Sequence, residues 1–369
     1  MKFFLTFNNL IKIFKEKNIQ YIFYSENKVY RNNFYDFIVE LSKIQNEYIF
    51  YISSDVHDVI NIKNVKNFYI GRGIIRLFFF YYVRCKFFFM TLTDLGNSFL
   101  RKSNNVHYYV YIFHSPISLH RSYTPKAFNN YDIFFSIGNR HTNELKKILK
   151  INRKKNKLIL NIGYFYFDFL KNKINLNKLK KNTFLVAPSW NYNSINFLNT
   201  SCKKIIESLL SNNFNVIFRP HPEHYKRNAK DLINIINTFS KYKNFFFDQD
   251  FSNLNSLNSS EFLITDNSGI AIEFCLVLKR PVFYFDSNLK LHNINYFQIS
   301  RDTIEDNVKK KFGKIIKVSD LNNIQKIVNN HKFFFNNHFL NKIDLFINEN
   351  FYNFNNSVKY ATKKIINFR

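Results

Sequence analysis

The sequence predicts an α/β protein made of two Rossmann-like domains with a cleft between them. The chain has 369 residues, 46% of them hydrophobic, which is long for one domain and sufficient for two cores. Short apolar runs alternate with amphipathic segments, a pattern typical of a parallel sheet with helices on both faces. Several apolar runs also end in polar turns, and ligands of open α/β sheets bind at the carboxyl ends of the strands.

The first predicted domain covers residues 1–170 and is assigned to the acceptor side. Apolar periodicity predicts strands at 19–24, 47–52, 87–91, 106–113 and 132–137. Helices are predicted at 34–43, from about residue 74, and at 142–149. Residues 74–92 are the most hydrophobic region, but Arg76, Arg84 and Lys86 interrupt it, so a membrane span is not expected there.

A segment rich in Lys and Asn, residues 171–182, is predicted to connect the domains. The second domain, residues 183–340, is expected to bind the nucleotide donor. It has predicted strands at 183–187, 216–218, 262–265 and 282–285, and predicted helices at 201–210, 231–242 and 270–278. Residues 341–369 are predicted to form a helical tail.

The formal charge of +28 favours anionic partners such as nucleotides, phosphate polymers, anionic lipid or nucleic acid. A genome biased toward A and T would also enrich Lys, Asn, Ile, Phe and Tyr, so this charge has two explanations. The three cysteines lie far apart and lack the spacing of metal ligands, which indicates buried thiols in a reducing compartment. No secretory signal is evident at the start of the sequence.

Two polar motifs in the second domain predict a diphosphate-binding site. In the first, an apolar run leads into Arg219-Pro220-His221-Pro222. In the second, an apolar run leads into Asn267, Ser268 and Gly269, followed by a predicted helix. The N-terminus of a helix offers free backbone N–H groups and the positive end of its dipole, which suits a phosphate. Ser268 is expected to cap that helix, and Asp266 to shape the turn.

Two histidines are predicted to be catalytic. The two flanking prolines hold His221 rigidly, and its ring is expected to hydrogen-bond the diphosphate; Arg219 is a second candidate ligand. His114 follows a strand of the first domain and is the candidate general base, expected to face His221 across the cleft. Other polar or turn residues also fall at predicted strand ends: Gly138, Pro188, Asp266 and Asp286.

Eight short segments, in the same order, resemble the CDP-glycerol glycerophosphotransferase family, polymerases and primases of teichoic-acid-type polymers with a GT-B fold. They are Phe113-His114-Ser115-Pro116, Tyr131 to Gly138, Gly163-Tyr164 with Asp168, Ala187-Pro188-Ser189-Trp190, Arg219-Pro220-His221-Pro222, Thr265 to Gly269, Lys279-Arg280-Pro281-Val282, and Tyr352 to Ser357. The chain departs from the family pattern at Ser115, Asn267 and Gly269, where the family has a glycine, an aromatic residue and a serine.

The resemblance implies a GT-B-like transferase that moves glycerol phosphate, or a related polyol phosphate, from a CDP-linked donor to an acceptor hydroxyl in cell-surface polymer synthesis. It also implies that Glu273 binds the ribose of the nucleotide. The acceptor would be lipid-linked or polymeric, and the enzyme would be cytoplasmic and peripheral at the inner face of the membrane. No cofactor or metal is expected: Asp248-Gln249-Asp250 has the spacing of a metal motif, but lies in a polar loop.

Two other functions fit the residues. A GT-B glycosyltransferase using a nucleotide sugar for lipopolysaccharide or capsule would keep the same diphosphate site, because fold alone does not determine the donor. A non-catalytic protein that binds nucleic acid or anionic membrane would account for the basic charge. Against the latter, no specific nucleic-acid-binding signature is visible.

Overall fold

The computed structural model describes residues 2–97, 99–190, 196–251, 253–285 and 291–368. The chain forms two compact units. The first contains Met1–Ser115, Tyr123–Phe169 and Asn350–Arg369; the second contains Pro116–Ser122 and Leu170–Glu349. Each unit therefore includes a segment that is distant in sequence from the rest of it.

The first unit is built on a parallel sheet with strand order β3-β2-β1-β4-β5-β6-β7. Its strands are β1 (Tyr21–Ser25), β2 (Ile49–Ser53), β3 (Val65–Tyr69), β4 (Cys85–Met90), β5 (Val106–Ile112), β6 (Ile133–Ser136) and β7 (Leu158–Asn161). The central strands are runs of Phe, Tyr and Ile buried on both faces, as a sheet covered by helices requires. On one face, Phe23 stacks on Phe89 with ring centres 4.5 Å apart, and both pack against Phe37.

The helices of the first half of the chain are α1 (Lys2–Lys15), α2 (Lys28–Arg31), α3 (Tyr35–Ile44), α4 (Ile74–Tyr82), α5 (Leu119–Ser122), α6 (Asn139–Ile151) and α7 (Phe165–Lys173). The short helix α5 belongs to the second unit. There Arg121 forms ion pairs with Asp306, at 2.7 Å, and with Glu305, at 3.1 Å. The segment that follows His114 and Ser115 is therefore held by buried charge pairing within the second unit.

The second unit has its own parallel sheet, with strand order β10-β9-β8-β11-β12-β13. Its strands are β8 (Lys180–Val186), β9 (Asn215–Phe218), β10 (Phe245–Phe247), β11 (Ser260–Thr265), β12 (Val282–Phe285) and β13 (Gly313–Ile316). Its helices are α8 (Phe197–Thr200), α9 (Cys202–Ser211), α10 (His224–Arg227), α11 (Ala229–Phe239), α12 (Asn255–Ser259), α13 (Ile270–Leu276), α14 (Ile304–Phe312), α15 (Ile324–Phe334) and α16 (Asn337–Asn350). Helix α17 (Ser357–Ile366) returns to the first unit.

Three of the eight segments that resemble the family lie where the C-terminal part of the chain packs against the first unit. A Cβ on Gly138 would lie 1.8 Å from the carbonyl oxygen of Asn350, and one on Gly163, at φ +106°, would lie 2.3 Å from the carbonyl oxygen of Tyr352, in the segment before α17. Asp168 accepts hydrogen bonds from the Ser357 hydroxyl at 2.7 Å and from the Val358 N–H at 3.1 Å. The first turn of α17 is thereby fixed to α7, and these motifs have a structural role.

Each strand and helix predicted from the sequence corresponds to an element of the structure. The predicted connection at 171–182 is partly structured, because α7 ends at Lys173 and β8 already begins at Lys180. All three cysteines are buried and unpaired, and burial raises their thiol pKa values. Within the described ranges, no helix has both the length and the apolar character needed to cross a bilayer.

The buried His141 on α6 makes the free energy of unfolding depend on pH. Its ring packs edge-on against Phe113, 4.2 Å between centres, and neither ring nitrogen has a hydrogen-bond partner among the described residues. Burial lowers its pKa to about 3. The unfolded chain, with a histidine pKa near 6.5, binds this proton first as the pH falls, so the stabilisation is complete above about pH 6.5 and is lost toward pH 3.

We therefore expect the unfolding free energy to fall by up to about 1.4 kcal/mol per pH unit below pH 6.5 on account of this one group. Chemical denaturation of the wild type and of His141→Leu at pH 7, 6 and 5 checks this, since the variant should lose that part of the slope. The exposed His57 is the matched control, and His57→Leu should keep the wild-type slope. Equal slopes in the wild type and His141→Leu would contradict the assignment.

Candidate active site

The carboxyl ends of three adjacent strands, β9, β8 and β11, are tied together by buried hydrogen bonds. After β11, the Asp266 carboxylate accepts the backbone N–H of Ser189 at 2.8 Å and its hydroxyl at 2.7 Å. Thr265 donates its hydroxyl to the Ala187 carbonyl at 2.6 Å. Asp266 is 2% exposed, so it shapes the turn, as predicted, rather than facing a ligand.

His221 lies at the end of β9, on the turn after Arg219 and Pro220. Its backbone N–H donates to the Pro188 carbonyl at 3.2 Å, and the backbone N–H of Glu223 donates to its Nδ1, also at 3.2 Å. Because a backbone N–H can only donate, Nδ1 must be the unprotonated nitrogen and Nε2 carries the hydrogen. This ring is therefore arranged as a neutral hydrogen-bond donor, the form that suits a phosphate oxygen.

His224, which the sequence analysis did not single out, supports this turn. It is fully buried on α10, with Nε2 3.1 Å from the Ser189 carbonyl and Nδ1 3.1 Å from the Asn228 side-chain oxygen. Burial is the main cause that lowers its pKa, while Asp266 opposes the shift. The only signal in the sequence was its position four residues after Pro220, and that spacing does not distinguish a buried supporting residue from a surface residue.

Arg219 does not present a free guanidinium to a phosphate in this structure. Its Nη1 donates to the Ser256 hydroxyl at 2.7 Å, and its Nη2 donates to the Phe251 carbonyl at 2.9 Å. Asp248 lies 3.8 Å from Nη1 and accepts the Ser256 hydroxyl at 2.6 Å. The geometry favours a structural role for Arg219, fixing the segment between β10 and α12, over the predicted phosphate contact.

The turn of Asn267, Ser268 and Gly269 leads directly from β11 into α13. The predicted cap is corrected here: Gly269 occupies the N-cap position, and no side chain of the described residues caps the helix. The helix hydrogen bonds begin with the N–H of Ala271 bonding to the Ser268 carbonyl, so the N–H groups of Ser268, Gly269 and Ile270 have no partner among the described residues. Unpartnered N–H groups at a half-buried turn are suited to an anion.

Glu273 lies in the first turn of α13 and is 9% exposed, a position compatible with the predicted ribose contact. Trp190 packs between the His221 ring, at 6.5 Å, and the Arg227 guanidinium, at 5.1 Å, so it belongs to the packing beneath the turn. Asp286 lies outside the described residues. Within the part of the chain that is described, no three His, Cys, Asp or Glu side chains cluster as a metal site.

His114 lies just after β5 in the first unit and is half-buried. Its Nδ1 lies 3.2 Å from the Thr91 carbonyl oxygen, and its ring packs edge-on against Tyr30, 5.5 Å between centres. Because a carbonyl oxygen can only accept, Nδ1 carries the hydrogen and Nε2 carries the lone pair. His114 therefore has the tautomer of a base, the opposite of the tautomer that the backbone imposes on His221.

Comparison with known proteins identifies the family. Residues 5–356 match the family described as CDP-Glycerol:Poly(glycerophosphate) glycerophosphotransferase. The chain belongs to this family. The match covers most of both units and includes every site residue named above, and it agrees with the transferase function expected from the eight motifs. No individually curated protein sequence matches the chain significantly.

Solved structures share the fold at low sequence identity. A variant of the wall teichoic acid polymerase TagF superposes with a TM-score of 0.61 at 15% identity, covering 98% of this chain and 97% of that one. A putative UDP-N-acetylglucosamine 2-epimerase from Listeria monocytogenes gives 0.58 at 13% identity, covering 95% and 96%. The Neisseria meningitidis UDP-GlcNAc 2-epimerase bound to UDP-GlcNAc gives 0.56 at 11% identity, covering 95% and 100%. The predicted GT-B-like α/β fold with two parallel sheets is confirmed.

Membership of this family makes the protein a glycerophosphotransferase-type enzyme with a CDP-glycerol donor. That result supports the first of the three predicted functions over a nucleotide-sugar glycosyltransferase and over a non-catalytic polyanion binder. The individual site residues are not tested by the comparison, so their roles stay predictions.

Proposed function

We propose that this glycerophosphotransferase transfers glycerol phosphate from CDP-glycerol to the terminal hydroxyl of a teichoic-acid-type polymer or its lipid-linked primer. The proposal depends on the hydrogen-bonded carboxyl ends of β9, β8 and β11. In this arrangement His221 lies on one side of β8, and the turn of Asn267, Ser268 and Gly269 lies on the other. Two strand spacings separate them, roughly 10 Å, a distance that a nucleoside diphosphate spans better than a single phosphate ion. A TagF crystal soaked with CDPG has the same fold, with a TM-score of 0.52 at 19% identity, which is compatible with this donor.

In the proposed step, the acceptor oxygen attacks the β-phosphorus of the donor. A new oxygen–phosphorus bond forms, the bond from the β-phosphorus to the bridging oxygen breaks, and CMP leaves with that oxygen and its electron pair. His114 takes the acceptor proton on Nε2. His221 donates through Nε2–H to a diphosphate oxygen, and the N–H groups of Ser268, Gly269 and Ile270 stabilise the charge that develops on the phosphates. Glu273 holds the ribose hydroxyls.

Turnover of CDP-glycerol tests this proposal. The purified protein, given CDP-glycerol and a glycerol phosphate oligomer, should release CMP and lengthen the oligomer by whole glycerol phosphate units. UDP-GlcNAc with the same acceptor should give no transfer. Transfer from the sugar nucleotide, with none from CDP-glycerol, would refute the proposed donor.

We also propose that the first unit contacts an anionic membrane through one face of α1 and α4, which pack together. The exposed apolar side chains of these two helices are Phe3, Phe4, Leu5, Phe7, Ile11, Ile74, Phe78, Tyr81 and Tyr82. Phe4 is 71% exposed and Ile74 58%. Lys12 and Lys15 in the last turn of α1, and Arg72 and Arg84 next to the ends of α4, are exposed, and α1 contains no acidic residue. Aromatic side chains flanked by basic ones are characteristic of helices that lie in the interface of an anionic bilayer.

Sedimentation with vesicles tests this membrane face. The wild type should bind vesicles containing phosphatidylglycerol and bind neutral phosphatidylcholine vesicles less. The double variant Phe4→Ser, Phe78→Ser should lose most of that binding, while Phe333→Ser, which removes a still more exposed aromatic side chain from the second unit, should not. Unchanged vesicle binding by the double variant would contradict a membrane role.

A further inference from the structure

A basic groove of about 640 Å³ lies on the first unit, where α6 ends and the chain turns toward β7. Six of its nine lining residues are basic: Lys146, Lys150, Arg153, Lys154, Lys155 and Lys157. Of its two apolar lining residues, Leu149 is buried and Ile159 is half-buried. All the charged residues that line the groove are therefore basic, unlike the aromatic surface of α1 and α4.

The loop that forms the groove is held in place by the backbone. Arg153 and Asn156 have φ values of +53° and +56°, in the left-handed region that non-glycine residues seldom adopt. The N–H of Lys154 donates to the Leu149 carbonyl at 2.8 Å. Asn152 donates to the Pro125 carbonyl at 2.6 Å and to Asn129 at 2.9 Å. The direction of the chain, and with it the grouping of the basic residues, follows from these contacts.

Most of this charge is not neutralised by the protein. Lys157 pairs with Asp132 at 3.3 Å, but Asp132 also pairs with Lys102 at 3.0 Å, so one carboxylate serves two lysines. The other five basic residues of the groove have no ion pair within the described ranges. Five uncompensated cations in one concave surface repel each other, and an anionic ligand with several charges would relieve that repulsion.

We infer that this groove binds the phosphodiester chain of the acceptor and product polymer; the inference rests on the proposed function, in which each transfer adds one phosphodiester. Lys146 and Lys150 are one helical turn apart on the same face of α6, so successive phosphates of one chain have successive partners. The groove has no aromatic lining residue on which a base would stack. It lies at the amino edge of the sheet, whereas His114 follows the carboxyl end of β5, so the groove is separate from the transfer site.

A polymer held here stays tethered to the enzyme between transfers, which raises the effective concentration of its free end. Two consequences follow. Long acceptors should bind more tightly than short ones, with a steep dependence on salt, and loss of the groove should shorten the polymer made per binding event without changing donor affinity.

Charge reversal tests the inference. The groove variant carries Lys150→Glu, Lys154→Glu and Lys155→Glu; the control carries the same charge change on the second unit, Lys203→Glu, Lys204→Glu and Lys230→Glu, all at exposed lysines. Fluorescence anisotropy with a short and a long glycerol phosphate oligomer gives dissociation constants across a salt series. We expect the groove variant to bind the long oligomer at least about tenfold more weakly than the wild type does. The slope of the logarithm of the binding constant against the logarithm of the salt concentration should be shallower by about 0.7 for each cation removed, as for single-stranded polyanions. The control should bind as the wild type does.

Three outcomes would overturn the inference. If the control loses as much oligomer affinity as the groove variant, the binding depends on diffuse charge, and if the groove variant binds the oligomer as the wild type does, the groove is not the site. If the groove variant loses binding to anionic vesicles but keeps oligomer binding, the groove binds a lipid headgroup. Calorimetry with CDP-glycerol on the same proteins separates this result from the proposed function. If the wild type binds no CDP-glycerol, the proposed donor chemistry fails, while oligomer binding still decides whether the groove holds a phosphodiester chain.

Discussion

Replacing His114 with asparagine should lower kcat for glycerol phosphate transfer by about 10²–10⁴-fold, the usual contribution of a general base. The dissociation constant of CDP-glycerol should stay close to that of the wild type, because His114 acts on the acceptor hydroxyl. The reason is the Thr91 carbonyl, which keeps the hydrogen on Nδ1 and leaves Nε2 to accept the acceptor proton. Steady-state kinetics with calorimetric donor binding measures both quantities.

The exposed His107 on β5 provides the control, and His107→Asn should keep wild-type kinetics. Thr91→Val is not informative here, since the contact uses the backbone carbonyl. If His114→Asn weakens donor binding and leaves kcat unchanged, His114 is a donor ligand and the assignment as base is wrong.

Replacing His221 with alanine should weaken CDP-glycerol binding by about 10- to 150-fold, the loss expected for one hydrogen bond to a charged phosphate, worth about 1.5–3 kcal/mol. The loss should be much smaller for cytidine, which has no phosphate. Calorimetric titration of both ligands measures the difference. Its physical basis is the Glu223 N–H, which occupies Nδ1 and leaves the hydrogen on Nε2.

His338, exposed on α16, is the matched control for this change, and His338→Ala should bind both ligands as the wild type does. A thermal unfolding midpoint near that of the wild type would show that the His221 variant is folded. Equal loss of affinity for cytidine and for CDP-glycerol would place His221 near the base or ribose rather than the diphosphate.

The strands that sequence reasoning missed are the four edge strands, β3, β7, β10 and β13. Central strands are buried on both faces and so appear as continuous apolar runs. The edge strands are short and partly exposed, and β7 and β13 are mostly exposed or half-exposed along their length. The sequences of β3, β7 and β13 therefore include polar residues or glycine, and β10 is only the three residues Phe245–Phe247, so apolar periodicity does not distinguish these strands from loops.

In the site, the turns were predictable but the partners of individual side chains were not. Apolar runs ending at Pro188, Arg219 and Asp266 indicated strand ends, and adjacency in a parallel sheet brought them together. Which atoms the guanidinium of Arg219 contacts depends on a segment more than 30 residues later, so its structural role was not visible. The opposite tautomers of His114 and His221 depend on single backbone groups, which only coordinates show.

Donor selectivity tests the central claim most directly. Calorimetric titration of the wild type and His221→Ala with CDP-glycerol and UDP-GlcNAc compares the cytidine donor with the sugar nucleotide bound by a structural relative. We predict that the wild type binds CDP-glycerol and not UDP-GlcNAc, and that the variant loses most of that affinity. Preference for UDP-GlcNAc, or CDP-glycerol binding unaffected by the loss of His221, would contradict the account.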